Sequence, residues 1–476
     1  MSELHALVEE AAGSVRAPRV SDRRDERTLA EILRNAEDLA GRITEAAVRD
    51  RPVVLARVPA TIEAVELLLA AVVGDFAICF VDPSAPAERA DAILTGLDPD
   101  VVAGSGELTS RHPDGEGVPG SGYVATSSGT TGGGPKGVLS SWTCMAEFVP
   151  HGATALGLGP GDCLAEPSHP AYDLSMTNWL LALASGASLA VSHALTDRVR
   201  PLAFAGRAGA THVRLAPRFI DLARAEHERS APPLSLRVWG SGGDRLSHRQ
   251  AESVFGLGVP TLVNTYGTSE TAGFASAATF DDVRAVTSRH GSVSIGTGRV
   301  GPWRTALVEE RRDDRTTGML AISAPHLTTG YLMGGGAGVG GEPTYPRWEA
   351  DRVVTGDLGC ASGDELFCLG RSGRLVKRSG IFVNLDDVDR VLRERCGVDT
   401  MTVAIRSGEL VTLVAPASAS ASADMEGLRQ GLAAHVSPDS RPDVLIPVAR
   451  VPRLANGKSD HAQAVRMAEQ VAAGES

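Results

Sequence analysis

Residues 123–139 read YVATSSGTTGGGPKGVL, and the remainder of the chain can be ordered around them. Five hydroxyl residues (Thr126, Ser127, Ser128, Thr130, Thr131) interleave with Gly129 and Gly132, and the run ends at Lys136. A loop of this make-up offers hydroxyls and unobstructed backbone N–H groups in an arc, closed by one ammonium. That is the inventory needed to hold a polyphosphate. It is not the Walker pattern, because Gly137 follows Lys136 where Ser or Thr would stand. A plain Gly/Ser linker is the competing interpretation. Apolar Tyr123–Ala125 before the loop and Val138–Leu139 after it argue instead for strand, loop, strand.

At 476 residues the chain exceeds one ordinary core, so two or more domains are expected. Composition is 43% hydrophobic and 22% charged, with 53 glycines, which fits a loop-rich globular protein. The net charge of −12 and the lack of a basic run argue against nucleic acid or an anionic membrane as partner. The acidic N-terminal stretch MSELHALVEEAAG lacks the apolar core of a signal peptide. The longest apolar segment, residues 65–73, is far too short to span a bilayer. Six scattered cysteines lack paired metal spacing, and seven residues separate Cys360 from Cys368. They read as reduced, buried thiols of a cytoplasmic protein.

Residues 15–27, dense in Arg and Asp, read as a solvated lead-in. Leu29, Ile32, Leu33, Ala36, Leu39 and Ile43 recur at helical spacing. A strand at 53–58, a helix at 62–73 and a strand at 77–81 follow, the rhythm of a parallel sheet with crossover helices. Residues 294–355 change to short β runs, at 306–308, 319–322 and 326–331, which suggests a small β subdomain. Beyond 381 comes a small α/β unit, helical at 388–395, with strands at 402–405 and 410–415.

The order Ser-Gly-Thr-Thr-Gly…Pro-Lys-Gly over residues 128–137 resembles the phosphate loop of the adenylate-forming superfamily. That superfamily includes acyl-CoA synthetases, luciferases and nonribosomal peptide synthetase adenylation domains. Gly133 and Gly134 together make the loop one residue longer than the usual pattern. Further resemblances run in the family's order from about residue 29 to 460: Asp82…Glu88-Arg89, then Tyr172-Asp173-Leu-Ser175, which is similar to F-D-x-S. Gly242-Gly243-Asp244-Arg-Leu246 has Asp for the usual Glu, and Asn264-Thr-Tyr266-Gly-Thr-Ser-Glu270 is similar to N-x-Y-G-x-[ST]-E. Gly318-Met319 has Met for the usual acid, and Thr355-Gly-Asp357 and Gly370-Arg371 come next. Gly373 stands at the family's hinge, Lys377 and Gly380 follow it, Asp387 and Asp389 replace the usual E-x-E, and Pro452…Gly457-Lys458 closes the series.

The resemblance implies an α/β multidomain fold: an N-terminal core of stacked α/β subdomains with a small β-barrel (residues 1–371, the β part at about 294–371), and a mobile C-terminal α/β lid (372–476). It implies ATP and Mg²⁺ as cofactors, with Lys458, Lys136 and Glu270 catalytic and Glu270 the metal ligand. Nucleotide contacts would come from Ser127, Ser128, Gly129, Thr130, Thr131, Gly132, Lys136, Gly243, Asp244, Asn264, Thr265, Tyr266, Gly267, Thr268, Ser269, Asp357, Arg371 and Lys377. In that assignment Tyr266 offers a ring face to the purine and Asn264 an amide, while Asp357 accepts from the ribose hydroxyls. An acid pocket would be lined by Asp173, Leu174, Thr177, Gly240, Gly242, Thr265, Gly273 and Phe274.

Asp173 lies 37 residues after Lys136, as in amino-acid-activating members, where the matching Asp meets the substrate ammonium. Helix capping is the competing role for it. None of the other pocket-lining positions carries a charge, so the expected substrate is a neutral amino acid or a related amine-bearing acid. Residues 459–476 follow Lys458, and they hold nothing like a carrier-protein serine motif. A freestanding enzyme with a separate acceptor is expected, a carrier-protein phosphopantetheine thiol before CoA or an amine. The competing interpretation from another class is a catalytically silent nucleotide-binding homologue, suggested by the departures at residues 133–134, 244, 319 and 373.

Overall fold

The computed structural model describes residues 2–114, 117–127, 136–230, 232–308, 317–328, 330–333, 346–371, 374–378, 381–405, 409–416, 425–436, 441–454 and 459–472. The chain divides into two compact units. The first holds Met1–Gly129, Gly133–Thr355 and Gly359–Cys368; the second is built chiefly of Leu369–Ser476 with Gly356–Leu358.

Two largely parallel sheets make up most of the first unit. One has six strands in the order Glu107–Ser110, Val101–Gly104, Val53–Ala56, Ala77–Phe80, Gly122–Ser127, Lys136–Ser141. Its four inner strands pair in parallel, and the outer pair at each end is antiparallel. The strands Val53–Ala56 and Ala77–Phe80 are buried at every position, as expected when helices cover both faces. Helix Ile62–Val73 crosses between them, and helix Leu29–Ala46 packs against it, opened by a Thr28/Glu31 capping box.

The second sheet has eight strands: Ser276–Phe280, Thr261–Tyr266, Val238–Ser241, His212–Leu215, Cys163–Glu166, Ser188–Val191, Arg19–Ser21 and Glu26–Thr28. The lead-in segment therefore differs from expectation. Arg19–Ser21 pairs in parallel with Ser188–Val191, and Val20 is buried. Its charged neighbours turn outward while one apolar side chain in three anchors the strand.

Helices Trp142–Leu156 and Asp173–Ser185 pack together under these sheets. Tyr123, Trp142, Phe148, Trp179, Phe274 and Trp303 are the large side chains of this core. The third sheet is a mainly antiparallel β layer including Trp303–Val308, Thr317–Ser323, Val353–Ser362 and Glu365–Arg371. The described residues of 326–331 are not in a strand; backbone Leu332 donates to Gly137 of the hairpin.

In the second unit, Val398–Ala404 and Leu410–Pro416 pair antiparallel and Val444–Pro447 adds in parallel. Helices Leu385–Cys396, Met425–His435 and His461–Ala472 accompany this sheet. Among the described residues no helix is long and apolar enough to cross a membrane.

Candidate functional site

The hairpin that carries the hydroxyl–glycine loop is present as read. Gly122–Ser127 and Lys136–Ser141 pair antiparallel, with Ser127 opposite Lys136 at its mouth. Gly122 has no alternative: a Cβ there would lie 2.1 Å from the Ser140 carbonyl oxygen. The loop residues Ser128, Gly129, Thr130, Thr131 and Gly132 lie outside the described residues, as do Gly373 and Lys458.

Each strand of the hairpin is tied to a different predicted site. On the incoming strand, buried Tyr123 donates its phenolic hydrogen to the carboxylate of Asp173. Burial first, then the Asp173 charge, pushes the Tyr123 pKa well above that of a free phenol, so it stays a donor. Asp173 is the first residue of its helix, the N-cap position is Tyr172, and no side chain caps there. The geometry gives Asp173 a buried phenol as partner in place of the helix-capping role.

On the outgoing strand, Gly137 accepts from Leu332, and the neighbouring Tyr331 donates from its hydroxyl to Glu270 Oε1 at 2.8 Å. Glu270 lies in the one-turn 3₁₀ helix Ser269–Thr271 and is buried. Thr328 Oγ1 donates to its backbone carbonyl, and Trp348 packs edge-on against the Tyr331 ring. A carboxylate with one such bond keeps acceptor capacity for a hard cation, so the donor set fits Mg²⁺.

Several of the other predicted nucleotide residues of the first unit lie along or just after strand Thr261–Tyr266. Tyr266 is buried with its hydroxyl 3.0 Å from Thr355 Oγ1. The Asn264 amide nitrogen donates to the carbonyls of Val293 and Ser294, so that group also holds the neighbouring segment. Gly267 approaches Gly273 so closely that a Cβ would stand 2.2 Å from its carbonyl oxygen. Thr268 is buried and Ser269 half-buried. Gly243 and Asp244 form an exposed turn after strand Val238–Ser241. In the second unit, Arg371 Nε donates to Asp357 Oδ1 at 2.9 Å, with Asp357 buried and Arg371 exposed. Lys377 belongs to the hairpin Leu375–Arg378 with Ile381–Asn384, opposite Phe382.

The predicted acid-pocket residues come together with a neighbour that the sequence reading missed, Arg214. Strand His212–Leu215 runs between Cys163–Glu166 and Val238–Ser241, and Arg214 is 4% exposed. Its Nε donates to Thr265 Oγ1 (3.3 Å) and its Nη1 to Asn178 Oδ1 (3.0 Å), and its Cζ sits 4.6 Å from the Phe274 ring centre. Asn178 in turn donates to Glu166 Oε2 at 2.5 Å. A Cβ at Gly240 would press on Arg214 Cβ at 3.0 Å, and one at Gly242 would stand 2.3 Å from Thr265 Oγ1 and 3.6 Å from Arg214 Nη2. Thr177 is buried, with its hydroxyl bonded to the Asp173 carbonyl, and Leu174 is half-buried. Gly273, at φ +106°, packs against Phe148. Burial lowers the Arg214 pKa to about 10, which leaves it charged at neutral pH. Burial also pushes Glu166 up to about 7. A signal for Arg214 existed: a strand inside a parallel sheet is covered on both faces, so an Arg flanked by Val213 and Leu215 has to be buried.

Residues 121–332 match the family described as AMP-binding enzyme. Isonitrile lipopeptide synthase of Streptomyces coeruleorubidus is 28% identical over 93% of this chain and 32% of its own length. Nonribosomal peptide synthetase ungA of Aspergillus violaceofuscus is 28% identical over 71% of this chain and 4% of its own. The chain thus spans a third or less of these curated relatives. Among solved structures, ATP-bound MatB from Rhodopseudomonas palustris superposes with TM-score 0.80 at 17% identity, covering 99% of this chain and 100% of that one. Amide bond synthetase McbA from Marinactinospora thermotolerans gives 0.77 at 22%, covering 98% and 99%. These two likenesses establish the fold. Family match, relatives and fold agree with the motifs in their order and support the adenylate-forming, AMP-binding enzyme superfamily.

Proposed function

We propose that this protein activates an amine-bearing carboxylic acid with ATP and passes the acyl group to a separate carrier-protein thiol. The observation that carries this reading is the double anchoring of the hairpin: one strand holds Asp173 through Tyr123, the other reaches Glu270 through residues 331–332. A phosphate loop hung on that hairpin would have the acid site and the metal carboxylate on either side.

In the first step a substrate carboxylate oxygen attacks the α-phosphorus of ATP. The new O–P bond forms as the bond to the β-bridging oxygen breaks, and pyrophosphate leaves with the electron pair. Both reactants are anions, so catalysis rests on positioning and on fixed positive charge. Lys136 and Lys458 would supply that charge, and Glu270 would hold Mg²⁺, which neutralises phosphate charge when bound. Asp173 would orient the substrate by its ammonium, and Asp357 with Arg371 would engage the ribose. In the second step the thiol sulfur attacks the acyl carbon, its proton passes to solvent, and AMP departs. The relatives named as nonribosomal peptide synthetases support a carrier thiol as acceptor.

ATP–pyrophosphate exchange, screened over amino acids, aryl acids and short acyl acids, tests the reading. Exchange with an amino acid that fails with its des-amino analogue is expected. No exchange with any acid would identify a silent nucleotide-binding homologue. Exchange followed by transfer to CoA, and not to a carrier protein, would reassign the acceptor.

A further inference from the structure

Arg214 lies in the middle of the predicted acid pocket and has one edge of its guanidinium unused. Nε and Nη1 are committed to Thr265 and Asn178, and one face lies over Phe274. Among the described residues Nη2 has no hydrogen-bond partner, and it lies beside Gly242, 3.6 Å from where a Cβ of that residue would stand. Gly240 keeps the stem of the same side chain clear. A buried guanidinium is costly unless its donors are met and its charge is balanced.

The balance in the empty pocket depends on Asp173 and Glu166, the carboxylates whose fields reach Arg214. Glu166 is a partial anion at neutral pH, since burial holds its pKa at about 7. Once a substrate ammonium occupies Asp173, two cations share one full counter-charge. A neutral side chain would leave that excess inside the sheet. An anionic one that reached Nη2 would remove it and would satisfy that nitrogen.

We infer that Arg214 is a specificity residue that binds a second carboxylate on the substrate, so that the acid activated is a dicarboxylic amino acid. This rests on the adenylation reading above and revises the expected neutral side chain. That expectation counted only the positions near Asp173 and in the glycine-bearing motifs, which contain no cation; the guanidinium enters from the adjacent strand. Arg suits the role because its planar fork can keep two neutral partners while presenting a third nitrogen to a carboxylate.

The test is pyrophosphate exchange by the intact protein with aspartate, glutamate and 2-aminoadipate, each beside its ω-amide, and with neutral amino acids. At least one diacid should exceed its amide by about a hundredfold in kcat/KM, as expected where a site leaves a buried donor unmet by the wrong ligand. Arg214→Gln should abolish that preference, and Arg214→Lys should keep part of it. Calorimetric ATP binding by each variant shows that it is folded. A parent that prefers an amide or a neutral amino acid overturns the inference and leaves the adenylation reading standing. An Arg214→Gln protein that binds ATP and still prefers the diacid also overturns it. Absence of exchange with every acid overturns both.

Discussion

The phenol of Tyr123, on the strand leading into the glycine-rich loop, donates to the carboxylate of Asp173, fifty residues further along the chain. The bond couples the place where phosphates are expected to the place where the acid is expected. Asp173→Ala removes the acceptor of the buried Tyr123 phenol. Its preference for an amine-bearing acid over the des-amino analogue should fall at least tenfold, about 1.4 kcal/mol. Unchanged preference in pyrophosphate exchange would show that Asp173 does no more than seat Tyr123.

Lys458→Ala should lose adenylate formation while retaining transfer from a supplied acyl-adenylate. A fixed charge that acts only in the transition state is worth about 3–4 kcal/mol, a factor of hundreds in rate. Near-normal pyrophosphate exchange in the variant would remove Lys458 from the assignment.

Asp357→Asn is expected to weaken ATP binding more than acid binding. The carboxylate already accepts from Arg371, and an amide offers fewer acceptor sites for ribose hydroxyls. A charged hydrogen bond of this kind contributes about 1.5–3 kcal/mol, so the Kd for ATP should rise by ten- to a hundredfold. Calorimetry decides it: equal affinity in the two proteins would confine Asp357 to a structural role such as its Arg371 contact.

Glu166 adds a pH dependence with a definite sign. In the unfolded chain it loses its proton near 4.5, and in the native site near 7. Between those values the native state binds more protons, so the contribution is full below about 4.5 and is lost as pH climbs to 7. The whole interval is worth about 3 kcal/mol. Unfolding curves of the parent and Glu166→Gln, compared at pH 5 and 8, should diverge by that amount, the parent losing more. Parallel curves would mean that the carboxylate ionises normally where it stands.

Arg374 is a buried cation of the second unit. It bonds Asp386 at 2.9 Å, Asp389 at 2.6 Å and the carbonyl of Thr402, while Asp389 also accepts from the Thr402 backbone. Arg374→Met would strand Asp389 and cost about 3–5 kcal/mol. Hydrogen exchange should report the loss in residues 385–416 and spare 53–80. Protection unchanged in both segments would contradict this account of the packing.

The elements most legible in the sequence were those with a clean period. Helix Ile62–Val73 falls where its apolar run places it, and the loop hairpin where its flanking apolar residues do. Helix Trp142–Leu156 was not legible, since Pro150 lies inside it and breaks the helical signal at its centre. Motifs placed Glu270, Asp173 and Asp357 because each stands in a short, recognisable string. Arg214 has no such string: its meaning comes from three strands and a helix that converge on it across more than fifty residues.

The pairing of Arg19–Ser21 with Ser188–Val191 has a consequence during synthesis. The two partners lie 169 residues apart, which at a ribosomal rate of ~5–20 residues per second is a wait of roughly ten to thirty seconds. Throughout it the early strand has no neighbour on that side, and an unpaired strand invites other nascent chains to add to it. Arg16, Arg19, Asp22, Arg23, Arg24 and Asp25 crowd the strand with charge. Such residues act as gatekeepers against aggregation, so the charges that look like mere solvation keep the nascent strand unclaimed until its partner emerges.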